Sequence, residues 1–443
     1  PPRSTLFPYT TLFRSISYVR KVLLDYIKAF KIKEHEEYFI EDIINSFLNN
    51  IKTLIDSEKL ECSLPNLDIK FLHDKKETSY FFFKNCVVEV TNNNQFILEY
   101  KELPGNIWQS QIIQHDFTIN KKEEIENFSF NIFLNKVCTM KRQNGELVFE
   151  SGRNKSLRNV IGYLLHSYKT GANKFAIILS EANIDGTARG RTGKGLIMQA
   201  INKLRKTTTL DGKNFSFDSS FSFQSVNLDT QIIFFDDVNK YFNFQRLYSV
   251  ITEGLSFERK YQDRINISPE NSPKIVISTN FSIHGNSESD KGRKFEMELF
   301  NFYDSKYRPV DDFKKEFFTT WDHDEWNIFY NVMLSCVQEY LGNNCVIPQY
   351  NSDTIIEKKI INSTCHEFID YMKSIKLENK IQCKEMYQNY INYVGYEVFD
   401  KKKPSNLIFG KWVKLYCDME NISLITKTIK EKGESNKCYC FNN

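Results

Sequence analysis

The chain has 443 residues, enough for about three domains, and 41% of them are hydrophobic, the proportion of a protein that buries cores rather than one that stays disordered. Lys and Arg number 59 against 56 Asp and Glu, a net charge of only +3, so no global positive field recruits nucleic acid. Contact with nucleic acid has to come from local basic clusters, and a membrane span is excluded because no apolar run reaches the ~18 residues that a bilayer requires.

Residues Pro1 to Ser15 resemble the translation of a sequencing-library adaptor, lacking the apolar core and cleavage site of a targeting peptide, and they are set aside from fold reasoning. That leaves room for an upstream domain before Ile16. From Ile16 to about Leu60 apolar residues recur at helical spacing. Strands are predicted at Tyr80 to Val90 and Phe96 to Tyr100, flanking a turn at Asn92-Asn93-Asn94. Residues 104 to 152 are mixed, and an amphipathic helix is predicted from Ser156 to near Gly171. Strands and helices then alternate: strand Phe175 to Leu179, a Gly-rich loop, helix Leu196 to Lys206, strand Gln231 to Phe235, helix Phe244 to Gly254 and strand Lys274 to Thr279. This is the pattern of an α/β fold with a parallel sheet and crossover helices. A helix is predicted at Trp326 to Leu341, a linker around Pro348 and Asn351, then helices near Ser363 to Ser374, Lys384 to Val394 and Ser405 to Asp418 and a hairpin at Ile422 to Phe441. That last order fits both a winged helix and an ordinary helical cap. The expected regions are therefore an N-terminal mixed helical and hairpin region over 16–152, an α/β core over 153–342 and a C-terminal helical domain over 360–443.

Ten cysteines are scattered without a CxxC pair. Cys438 and Cys440 have the wrong spacing for a zinc ligand pair, so no structural metal is expected and the thiols are read as reduced packing residues of a cytoplasmic protein.

The chemistry concentrates in the predicted sheet. Ala188-Arg-Gly190-Arg191-Thr192-Gly193-Lys194 follows a strand and opens a helix, the context in which backbone N–H groups of a Gly-rich turn converge on phosphate and a lysine reaches the β and γ phosphates. Gly190, Arg191, Thr192, Gly193, Lys194, Gly195 and Leu196 are thus candidate ATP-binding residues. The motif departs from its usual form twice: Ala188 replaces the first glycine, and Gly195 stands where Ser or Thr normally ligates Mg²⁺, with Thr192 a substitute ligand. Next comes Ile232-Ile-Phe-Phe-Asp236-Asp237, an apolar strand delivering two carboxylates to its C-terminal end, Asp236 to hold Mg²⁺ and Asp237 to orient the attacking water. A third strand ends in Asn280, placed to hydrogen-bond the γ-phosphate or the lytic water.

Between acids and Asn lies a basic segment, Glu258-Arg259-Lys260-Tyr261-Gln262-Asp263-Arg264. In this order the motifs resemble the superfamily 3 helicases, a branch of the AAA+ P-loop ATPases, over roughly residues 157 to 330. More narrowly they resemble the helicase domain of phage, plasmid and poxvirus-type primase-helicase proteins, including Asp290-Lys-Gly-Arg293-Lys294-Phe295 and the downstream Arg308-Pro309 and Trp321-Asp322. The resemblance implies an ATP- and Mg²⁺-dependent DNA helicase acting in replication, with Arg259, Lys260 and Arg264 on a pore hairpin holding single-stranded DNA. It also implies a homo-oligomeric ring, by family a hexamer, in which Arg293, or else Arg308, reaches a neighbour's γ-phosphate, and a primase or replication-initiation protein as partner. Two other readings stand beside it: the helicase part of a longer primase-helicase, and a nucleotide-binding module that assembles on DNA without unwinding it.

Overall fold

The computed structural model describes residues 24–25, 40–54, 71–142, 144–169, 174–182, 190–258, 264–281, 283, 290, 292–350, 353–377, 380–397, 400, 402–431 and 434–442. The adaptor-like residues 1–15 lie outside them, as do Ala188, Arg259 and Lys260. Helix α1 spans Ile40–Leu54, and the first sheet follows, built from β1 (Ser79–Phe83), β2 (Val87–Val90), β3 (Gln95–Leu98) and β4 (Ile112–Ile113) in the order β3-β2-β1-β4. The single strand expected from Tyr80 to Val90 is two antiparallel strands, because Phe83 N–H turns back onto the Cys86 carbonyl at 2.8 Å. The Asn-rich turn does close β2 on β3, with Thr91 and Asn94 bonded to each other.

Helices α2 (Lys122–Asn127) and α3 (Ser129–Lys136), hairpin β5 (Thr139–Lys141) with β6 (Leu147–Phe149), and helix α4 (Ser151–Leu165) lead into the central sheet. Packing does not stop at the expected limit of 152/153. Phe130, Phe133 and Val137 share one core with Leu157, Leu179, Phe234 and Phe329.

The central sheet holds β7 (Ala176–Glu181), β8 (Thr207–Asp211), β9 (Ile232–Val238), β12 (Lys274–Thr279) and β13 (Lys294–Leu299), all parallel, in the order β13-β7-β12-β9-β8. Its middle strands are apolar on both faces because both are covered. Ile177, Leu179, Ile232, Phe234 and Val276 face one core, and Ala176, Ile178, Ile233, Phe235, Ile275 and Ile277 the other. Helix α5 (Lys194–Asn202) follows the Gly-rich loop, a short α6 (Tyr248–Thr252) follows β9, and between them and β12 lies the antiparallel pair β10 (Leu255–Phe257) and β11 (Ile265–Ile267).

Helix α7 (Pro309–Phe313) precedes α8 (His323–Gly342), which starts three residues before the predicted Trp326. A reciprocal cap causes this: Asp322 accepts from Glu325 N–H at 2.9 Å and Glu325 accepts from Asp322 N–H at 3.1 Å. The last region comprises α9 (Asp353–Ser363), unforeseen in the linker, then α10 (His366–Ser374), β14 (Ile381–Gln382), α11 (Cys383–Val394), α12 (Asn406–Met419), β15 (Ser423–Glu431) and β16 (Glu434–Asn442). β16 lies between β14 and β15, antiparallel to both. The C-terminal region is thus helical, closed by a hairpin whose second strand pairs back on the short strand β14. Among the described residues no helix is long and apolar enough to cross a membrane, no His, Cys, Asp and Glu group gathers as a metal site, and nine cysteines are free thiols.

Candidate nucleotide site at the strand ends

The described part of the Gly-rich loop has Gly190 at φ 65°, Arg191 at 60° and Gly193 at 102°, so successive residues sit in the left-handed region. Backbone turns of this kind are what anion-binding concavities at helix starts are built from. At Gly193 no side chain fits, since a Cβ would stand 2.8 Å from the Phe133 ring. At Gly195 nothing lies within 4 Å of an added Cβ, so the missing Ser or Thr is not a steric requirement.

Lys194, the first residue of α5, projects back across the strand ends. Its ammonium donates to Glu181 Oε1 at 2.7 Å and to Asn280 Oδ1 at 3.0 Å. Two predicted positions, the loop and the end of β12, therefore meet at one nitrogen, together with an unpredicted acid at the end of β7. Burial lowers the Lys194 pKa, opposed by the nearby charges of Glu181 and Asp237. Glu181 was not singled out by the sequence; its only signal is an acid at the end of the strand that feeds the loop. It is 2% exposed, its Oε1 lies 3.5 Å from Thr192 Oγ1, and among the described residues its buried Oε2 has no hydrogen-bond partner.

The acid pair at the end of β9 is separately organised. Ser278 of β12 donates its hydroxyl to Asp236 Oδ1 at 2.7 Å and accepts the Asp237 N–H at 2.7 Å, which fixes the relation of the two acids across adjacent strands. Asp237 has φ 54°, so its backbone turns away from the strand path and its side chain pairs with Lys213 at 2.5 Å. Thr279 donates to the Val238 carbonyl at 3.1 Å and completes this strand-end frame. Leu196 is half-buried against the core below the loop.

The basic segment is described at its base. Leu255 pairs with Ile267 and Phe257 with Ile265, their side chains anchored in the core, so an antiparallel strand pair flanks the segment. Arg264 is exposed beside the tip, whose residues 259–263 lie outside the described set. Arg293 is not with Lys194 in the same chain: it precedes β13, its carbonyl accepting from Ala176 N–H at the opposite end of the sheet. Its guanidinium stacks on Tyr248 at 4.7 Å, and the Tyr248 hydroxyl donates to Asp290. Arg308 is exposed and paired with Asp311 at 3.0 Å.

No family model matches the chain, and no curated protein does. Among solved structures, the apo form of the NrS-1 C-terminal region is similar with 15% identity and a TM-score of 0.39, covering 83% of this chain and 97% of that one. A JCV helicase bound to a small acetamide compound has 14% identity and a TM-score of 0.22, covering 63% of this chain and 74% of that one. Both TM-scores lie below 0.5, so neither likeness bears on what the site does.

Proposed function

We propose that the chain is an ATP-hydrolysing motor of the superfamily 3 helicase type, working on single-stranded DNA in replication. The observation that supports it most is the convergence of Lys194, Glu181 and Asn280 at the C-terminal ends of adjacent parallel strands, beside a Ser278-braced acid pair. In parallel sheets ligands bind at these ends.

The loop N–H groups and Lys194 bind the β and γ phosphates, the ammonium exchanging Glu181 for phosphate oxygen. Asn280, already within reach of Lys194, orients the γ-phosphate. Asp237 takes the proton of the attacking water once Lys213 is drawn off, and Asp236 is kept in register by Ser278. Magnesium would suit oxygen donors, and Asp236 would hold it, with Thr192 as a substitute for the Ser or Thr absent at position 195. The chemistry it would supply there is neutralisation of charge on the phosphates. Arg259, Lys260 and Arg264 hold the strand by its backbone, and Arg293 serves a neighbouring subunit's site, so the full site needs an oligomer, a ring in this reading.

The test is ATP turnover with and without single-stranded DNA. Stimulated turnover that Asp237→Asn abolishes supports the motor. A parent protein that binds ATP without turnover overturns it in favour of a passive nucleotide-binding module, a reading favoured by Gly195 and by the Lys213 to Asp237 pair.

A further inference from the structure

A cavity of about 650 Å³ lies at the N-terminal end of the central sheet, the opposite end from Lys194. Phe82 of the first sheet, Lys274 of β12, and Asn266 and Ile267 of β11 all line it. Its volume falls in the range of small-ligand sites, about 300–1,000 Å³, and nothing in the nucleotide site above uses it.

The charges around this cavity are unbalanced. Asp74 is taken by Arg205 at 3.2 Å, and Asp229 by Lys206 at 2.6 Å. Lys274 and Lys169 also line the cavity, and among the described residues neither has a carboxylate at ion-pair distance. Lys274 is fixed on the carbonyls that end α4. Lys169 instead donates to Ser272, to its carbonyl and, at 3.1 Å, to its hydroxyl. Burial lowers the Lys169 pKa to about 7, with Lys174 adding to the effect and the exposed Glu270 opposing it. The interior is short of an anion.

A second feature says what kind of anion fits. Phe71 and Trp108 line the same cavity with their rings stacked, centroids 4.6 Å apart and planes 12° from parallel. Both are half-buried, so the pair keeps ring surface open. Bases stack on such rings whatever their sequence, and lysines meet phosphates. The cavity also adjoins the basic segment: Asn266 is two residues from Arg264, about 7 Å along an extended strand.

We infer that this cavity seats one nucleotide of a single DNA strand, its base against the Phe71–Trp108 pair and its phosphate on Lys169, which exchanges Ser272 for it. The inference rests on the reading of Arg259, Lys260 and Arg264 as strand contacts. A free nucleotide has only the cavity to hold it, whereas a strand on the hairpin meets the cavity at high effective concentration. A duplex keeps its bases in the stack and offers none to the rings.

The test uses the full chain without nucleotide and an oligothymidylate carrying one iodouracil, which crosslinks on illumination to an aromatic ring lying against it. Peptide mapping should place the crosslink at Phe71 or Trp108. Anisotropy titrations are run below pH about 7, where Lys169 is protonated. Trp108→Ala is expected to weaken strand binding about tenfold, the scale of one base stack. Lys169→Gln should flatten the slope of log K on log salt by about 0.7, the share of one phosphate in a single strand, and Lys169→Arg should restore it. Crosslinks that avoid both rings, or affinity unaltered in both Trp108→Ala and Lys169→Gln, overturn the inference, and loss of binding in Lys260→Ala would then leave the hairpin reading standing. A parent chain that binds no strand overturns both.

Discussion

Two lysines stand at opposite ends of the central sheet, one buried and one half-buried, and their partners differ in kind. Lys274 begins β12 at the N-terminal end, is 4% exposed, and donates to the carbonyls of Tyr163 and His166 while lying 3.8 Å over the Tyr163 ring. Those carbonyls close the C-terminus of α4, where a cation is favourable. Lys194 at the C-terminal end is half-buried, and its partners are a carboxylate and an amide side chain. Burial pushes both ammonium groups below the usual lysine range, so the titration shift does not tell them apart. Backbone partners cannot leave without unravelling a helix end, whereas side-chain partners can be exchanged for a phosphate. The same division holds for the acids: Asp74 is locked between Arg205, Ser79 and the Tyr80 and Ser167 N–H groups, while Glu181 keeps one oxygen unused.

The contrast can be broken by substitution. Lys194→Ala should lower ATP turnover by about 10²–10³-fold, the scale for removing one preorganised donor to developing charge, measured by phosphate release. At the other end, Asp74→Ala strands the Arg205 guanidinium, itself 4% exposed, and should cost about 3–5 kcal/mol in chemical denaturation while the folded fraction keeps its turnover. Lys274→Met should cost less, about 1–3 kcal/mol, since it leaves two helix-end carbonyls without a donor but relieves a buried charge.

A pH series sharpens the same point. Burial raises the Asp74 pKa, but Arg205, His166 and the backbone donors outweigh it and hold the carboxyl below the ordinary range. A depressed folded pKa gives stability that is complete above the unfolded value, about 3.9, and is lost as pH falls through the folded one. The stability gap between parent and Asp74→Asn should therefore be flat at neutral pH and narrow only below pH about 4; a gap that narrows above pH 6 would rule out the carboxylate as its source.

How much of this was legible depended on where each strand lies. β7, β9 and β12 sit in the middle of the sheet, so they are apolar runs that declare themselves. β8 (Thr207-Thr-Thr-Leu-Asp211) and β13 (Lys294-Phe-Glu-Met-Glu-Leu299) are its two edges and were missed. In β13 the buried Glu298 is compensated by Lys358, sixty residues on, and by Arg153, far upstream on α4, partners no local window contains. The site followed the same rule. Lys194, Asp236, Asp237 and Asn280 lie in recognisable strings, while Glu181 acquires its role only when the fold sets it opposite Lys194. The sheet of the C-terminal region was not legible because β14 is two residues long and its pairing with β16 is non-local.

The most direct test of an exchangeable lysine against a fixed one is equilibrium binding of Mg²⁺-ATP to three proteins, the parent, Lys194→Ala and Lys274→Met, by calorimetry under conditions where all are folded. Parent and Lys274→Met should bind alike, and Lys194→Ala at least about tenfold more weakly, since a charge-assisted contact to phosphate contributes about 1.5–3 kcal/mol. Equal binding by Lys194→Ala and the parent, or selective loss in Lys274→Met, would contradict the account.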